Sequence, residues 1–286
     1  MRLPSLTIGS FLVAASVLAA QSPQGNQPII PTPGGGNGAG PTQPANIAPV
    51  LNPNNRLDFL LLQWEQRMKG VESIYAPKLT REEKEKTGAI RKFEGEARYL
   101  RPNLAALRMI RVDDPTKYEL YISTGINLYE FRPQTKTLRI HDMTPAQAGQ
   151  FQNNFLSFLF GMNAADAKQK FELDVQKDVG PANPNFIYIM IKPRLDADKR
   201  EFTRAQLVLK ADTLLPRRLW FEHANGNSVT WDIPEMTTDQ NLKPQDFTPP
   251  KAPEGWETVR VRNDSAPPTA PKLNSNPPRV IRPSGR

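Results

Sequence analysis

The sequence predicts a mostly β fold of the α+β class: an unclosed antiparallel barrel, or curved sheet, of about ten strands with helices covering its concave face. Three observations point there. The hydrophobic period changes from helical to two near Phe93. Short alternating runs separated by Gly, Pro, Asn and Asp then continue to Pro234. Two stretches of helical character lie beside them, one before the strands and one in their middle.

The first helix is expected over residues 57–71. Asn54 or Asn55 can cap it, and Leu57, Leu60, Leu61, Trp64, Met68 and Val71 recur at helical spacing. Residues 75–90 are polar and hold the run Arg81-Glu82-Glu83-Lys84-Glu85-Lys86. Such a run reads as a solvated helix or loop. Strands follow over 93–100, 104–112, 117–124, 127–132 and 136–141, separated by turns such as Asp113-Asp114-Pro115 and Gly125. The second helical stretch, 145–167, is apolar on nearly all sides around Phe155, Leu156, Phe158, Leu159 and Phe160. A helix of that kind has to be enclosed or meet apolar surface on both faces. Strands resume over 171–176, 185–192, 202–210, 216–223 and 228–234, and Asn225-Gly226 marks a tight hairpin because both residues tolerate positive φ.

Outside this block the composition changes. Residues 1–20 carry Arg2, an uncharged apolar run and small residues before Gln21, the pattern of a signal peptide too short to span a bilayer. Residues 21–53 have no charge and are dense in Pro, Gly, Gln and Asn, the composition of a disordered linker. The glycines between 34 and 40 follow no strand and open no helix, so they are not a phosphate loop. Residues 263–286 form a Pro-rich basic tail with Lys272, Arg279, Arg282 and Arg286. One domain, 54–262, remains.

The formal charge is +8, and Arg2 with the tail accounts for about half of it. The remainder is spread without a basic run, which argues against a nucleic-acid partner. The chain has no cysteine, which excludes disulfides, thiolate metal ligands and a lipidated N-terminal cysteine. Its two histidines, His141 and His223, fall at the ends of expected strands and read as surface or turn residues. Glu94 and Glu96 share one strand face, which alternation assigns to solvent. No metal site, cofactor or catalytic constellation emerges, and the chain reads as a non-enzyme.

Several stretches resemble the LolA-like family of periplasmic lipoprotein carriers. They are Phe93-x-Gly95-x-Ala97-Arg98-Tyr99-Leu100-Arg101-Pro102-Asn103 and Gly125-Ile126-Asn127-Leu128-Tyr129-Glu130-Phe131-Arg132-Pro133. Further on come Asn153-Asn154-Phe155-Leu156-Ser157-Phe158-Leu159-Phe160-Gly161-Met162, then Leu215-Pro216-Arg217-Arg218-Leu219-Trp220-Phe221-Glu222 and the hairpin from Asn225 to Pro234. Within that group the chain is similar to secreted planctomycete-type proteins with no assigned activity. The resemblance implies a helical lid over an apolar cavity that accepts acyl chains. Leu60, Trp64, Met68, Phe155, Phe158 and Leu159 would belong to the lid. Tyr99, Leu219, Phe221, Val229 and Trp231 would line the cavity, and Arg98 or Arg101 would latch the lid.

The expected function is therefore that of an exported periplasmic or extracellular protein binding a lipid or an acylated protein. The alternative is an interaction module with a filled core, docked to an envelope protein or anionic surface through its tether and basic tail. A monomer with no transmembrane span is expected in either case.

Overall fold

The structure is a computed structural model that describes residues 51–143, 163–176, 183–196 and 198–261. Helix α1 spans Arg56–Lys69, and the Asn55 side chain caps it by accepting from the N–H groups of Leu57 (2.9 Å) and Asp58 (3.2 Å). The strands that follow are β1 (Ser73–Lys84), β2 (Ile90–Leu100), β3 (Leu104–Arg111), β4 (Tyr118–Thr124), β5 (Asn127–Arg132) and β6 (Thr137–Asp142). A two-turn helix α2 (Ala164–Lys170) leads directly into β7 (Phe171–Val175). β8 (Phe186–Pro193), β9 (Arg204–Lys210), β10 (Pro216–Glu222), β11 (Ser228–Thr238) and β12 (Glu257–Val261) complete the set.

All twelve strands form one sheet in the order β7-β8-β9-β10-β11-β1-β2-β3-β4-β5-β6-β12, open between β7 and β12. Every pairing is antiparallel except β12 on β6. The ten strands read from the sequence are present. Two more were not expected, and one of them corrects the sequence reading. The charged residues Arg81 to Lys84 belong to β1, the strand that joins the two halves of the sheet by pairing with both β2 and β11, and Glu85 and Lys86 enter the turn that follows. It escaped the period-two test because charged side chains occupy both of its faces. The apolar stretch 151–162 lies outside the described residues, and Phe155, Phe158 and Leu159 lie there with it.

Register divides the residues between two faces. Directly opposed residues share a face, so Arg81, Phe93, Met109 and Trp231 look the same way, as do Leu219, Leu207 and Ile189. This face meets α1, and Leu61, Trp64, Met68, Ile191, Leu207, Leu219 and Ile233 form one buried apolar cluster on it. Gly95 is required here because a Cβ at its position would lie 1.8 Å from the Arg108 carbonyl oxygen. The hairpin between β10 and β11 turns through Gly226 at φ +82°, as its Asn-Gly pair foretells.

The opposite face of β3–β6 is covered by the chain's own C-terminal segment. After β11 the chain passes through a short 3-10 turn, Pro244–Phe247, that sits over β3 and β4. Phe247 is 1% exposed, and Trp256 lies 6.3 Å from the Phe131 ring. Ile122, Phe131 and Leu138 are buried on that side, and β12 then adds itself to the edge at β6.

Candidate functional site

The helix-bearing face gathers most of the residues that the resemblance singled out. Leu60, Trp64 and Met68 of α1 share one buried cluster with Tyr99, Leu219, Phe221 and Trp231 of the sheet, and Val229 packs against it half-buried. Ala97, Ala105 and Leu107 of β2 and β3 extend the same apolar surface and are also only half-buried.

Polar contacts hold α1 at both ends. At its C-terminal end Arg101 donates from Nε to the Val71 carbonyl (2.6 Å) and from Nη2 to the Met68 carbonyl (2.8 Å). They tie the sheet to the end of the helix, where the Met68 carbonyl also accepts from the Val71 N–H at 3.2 Å. Nearby, Arg67 donates to the Thr238 hydroxyl (3.1 Å). At the N-terminal end Lys168 of α2 donates to both oxygens of the buried Asp58 carboxylate at 2.8 and 3.0 Å. Glu65 accepts from the Ala164 N–H (2.9 Å) and the Asn163 amide (3.1 Å), which seats α2 against α1. Burial pushes the Asp58 carboxyl up, but the Lys168 bond and the Asn52 N–H outweigh it and hold it below the usual range. Glu65 is likewise held low, its burial outweighed by Lys69, Ala164 and Asn163.

Arg98, the other arginine considered as a latch, points to the outer face. It donates to Glu96 (2.9 Å) and lies 5.7 Å from the Tyr75 ring. Alternation puts it on the side of the sheet away from α1.

A buried polar group that the sequence did not reveal sits beside the apolar cluster. Arg81 of β1 has a fully buried side chain and forms a two-bond fork with Glu119 of β4, at 2.9 and 2.8 Å. Glu83 approaches it at 3.1 Å and is shared with Arg91. The guanidinium lies over the Phe93 ring (4.1 Å to the centroid) and beside Trp231 (5.2 Å). Burial raises the Glu119 carboxyl, and Arg81 offsets this only in part.

Three buried N–H donors on this face find no acceptor among the described residues: Trp64 Nε1, Arg81 Nε and Trp231 Nε1. A buried donor left unmatched costs about 1–3 kcal/mol. The Arg81 and Trp231 donors belong to residues directly opposed on β1 and β11.

Further along the same face, Glu130 of β5 is 2% exposed, accepts from Arg132 (2.8 Å) and lies 3.3 Å from His141 Nε2. Burial pushes the Glu130 carboxyl up, but His141 and Arg132 hold it below its usual range. The Tyr121 phenol beside it is raised by burial and by Glu119 and Glu130, so it stays neutral. His141 is thus a buried partner of Glu130 and not the surface residue its strand-end position suggested. His223 is half-buried, with Nδ1 2.6 Å from the Glu201 carbonyl. Glu94 and Glu96 stand on the outer face, as alternation predicts. Among the described residues, no three His, Asp or Glu side chains converge as metal ligands, and no helix is long and apolar enough to cross a membrane.

No protein-family model and no curated protein sequence matches the chain. Solved structures do match. An uncharacterised conserved protein from Thermus thermophilus shares 12% identity at a TM-score of 0.43, covering 70% of this chain and 97% of its own. A putative outer membrane lipoprotein-sorting protein domain from Vibrio parahaemolyticus shares 11% at 0.37, over 68% of this chain and 97% of its own. A LolA superfamily protein from Nitrosomonas europaea shares 8% at 0.33, over 66% of this chain and 97% of its own.

Proposed function

We propose that this is an exported envelope protein that binds the acyl chain of a lipid or an acylated protein on the helix-bearing face of its open sheet. One observation carries the reading: a continuous apolar surface runs across that face, and α1 lies on it, held by a few polar bonds at its two ends. An apolar surface of this kind gains about 0.8 kcal/mol for each methylene it buries. Helix α1 is then the cover and Arg101 its latch, while Tyr99, Phe221, Val229 and Trp231 form the floor. Ligand reaches the floor when α1 lifts, because Leu61, Trp64 and Met68 are each 2% exposed and pack closely on the sheet as the helix lies.

That close fit also favours a second reading, in which the helix permanently fills the face. The domain would then be an interaction module, docked to an envelope protein or anionic surface through its charge-free N-terminal segment and basic C-terminal segment. Native mass spectrometry of the full chain purified from an envelope extract, followed by organic extraction, separates the two. The acyl-binding reading expects a reproducible added mass that extracts as acyl-chain lipid. A clean protein mass that takes up neither added fatty acid nor phospholipid would remove it and leave the interaction module.

A further inference from the structure

We propose that Arg81 and Trp231 form a carbonyl-recognition subsite, whose two N–H donors bind the uncharged ester or amide oxygen of an acylated ligand. This rests on the acyl-binding reading above and adds to it the chemistry of the ligand's polar end. Arg81 Nε and Trp231 Nε1 are buried and have no acceptor among the described residues. They belong to directly paired positions on adjacent strands, on the face that α1 covers. Phe93 and Trp231 flank the guanidinium, so apolar surface suited to an alkyl chain begins at the donors themselves.

Charge selects the acceptor. The two terminal nitrogens of Arg81 are committed to Glu119, with Glu83 at 3.1 Å, which leaves Nε as its one nitrogen without an acceptor among the described residues. Arg91 is in turn shared between Glu83 and Glu85. Two arginines face three carboxylates in the group, so a carboxylate or phosphate would arrive beside the buried Glu119 and the half-buried Glu83 and be repelled. A neutral carbonyl oxygen accepts both hydrogen bonds without adding charge. Such an oxygen sits at the head of an acyl chain in a glycerolipid ester and in an N-acylated amine.

The test uses the full chain and four twelve-carbon probes, titrated calorimetrically below their aggregation limits. They are monolauroyl glycerol, N-lauroyl ethanolamine, 1-dodecanol and laurate. The ester and the amide are expected to bind at least tenfold more tightly than the alcohol and the carboxylate, which lack a neutral carbonyl. Trp231→Phe keeps the aromatic ring and removes the donor, so it should bring the ester down toward the alcohol with melting unchanged or raised. Preference for ester over amide names a glycerolipid source, and the reverse an N-acylated one. Equal binding of alcohol and ester by the unaltered chain would overturn the subsite whether or not the variant folds. Retention of the ester preference in the folded variant would do the same and assign the donors to water only. If none of the four binds, the acyl-binding reading falls first and the subsite falls with it.

Discussion

Arg81 stands in a run of charged residues that the strand sends alternately to its two faces. Thr80, Glu82 and Lys84 go to the outer face, while Arg81 and Glu83 turn toward the helix. Nothing in the local pattern distinguishes Arg81 from its neighbours, because its partner Glu119 lies 38 residues away. The partner's own strand reads as an ordinary alternating one. The pair was therefore illegible in the sequence, whereas Trp64, Leu219 and Trp231 were legible because apolar periodicity is local. Energetics follow from burial. Removing one member leaves a desolvated charge, at a cost of about 3–5 kcal/mol, while replacing both with apolar residues of similar size is close to neutral. Glu119→Ala is thus expected to lower urea-unfolding stability by about 3–5 kcal/mol. The double variant Arg81→Met, Glu119→Leu should recover most of that loss. Equal destabilisation in single and double variants would show that the two side chains are not coupled.

At the scale of an element, α1 is the part whose attachment can be tuned. Its two charge-assisted bonds from Arg101 are worth about 1.5–3 kcal/mol each when fully desolvated, and less where Arg101 is half-exposed. Arg101→Ala should speed amide exchange across Arg56–Lys69 by at least about tenfold, or roughly 1.4 kcal/mol, with β9–β11 unchanged. Uniform loss of protection over helix and sheet alike would mean that Arg101 supports the whole fold and is not a latch. The contacts that join α1 to α2 respond to pH. Asp58 and Glu65 have their folded pKa values depressed, so their contribution is full above the ordinary carboxylate range near pH 4 and is lost as pH falls through the depressed values. Glu119 has a raised folded pKa and works in the opposite sense, its contribution declining as pH rises above that range. Exchange protection of α1 and α2 should therefore fall on acidification below about pH 4, and Asp58→Asn should flatten that dependence. An unchanged slope in the variant would place the acid sensitivity elsewhere. Helix α1 was legible through its cap and spacing. β1 was not, because the test that finds strands relies on one apolar face.

The whole molecule is closed by a segment that reads as loop. Residues 239–256 have no alternation and are rich in proline, yet they hold Phe247 and Trp256 against the outer face of β3–β6. Sequence periodicity recovers strands that pair with their neighbours in the chain, which is why ten were visible. It misses a strap whose anchor is one buried ring, and a five-residue strand, β12, laid parallel on β6 far from its own hairpins. The strap and β12 give the described part of the C-terminal region a structural role. Phe247→Ala removes a fully buried ring and should cost about 3–5 kcal/mol. For a domain of this size that lowers the melting temperature by roughly 10 °C. A chain ended after Val261 keeps the strap and β12, and its melting temperature should stay within about 2 °C of the full chain. The same truncation discriminates between the functional readings. A lipid binder retains its extractable ligand without residues 262–286, whereas an interaction module that docks through its basic segment loses envelope association. If the truncated chain melts like the full one but no longer carries lipid, the basic segment delivers the ligand, and the apolar face alone does not account for binding.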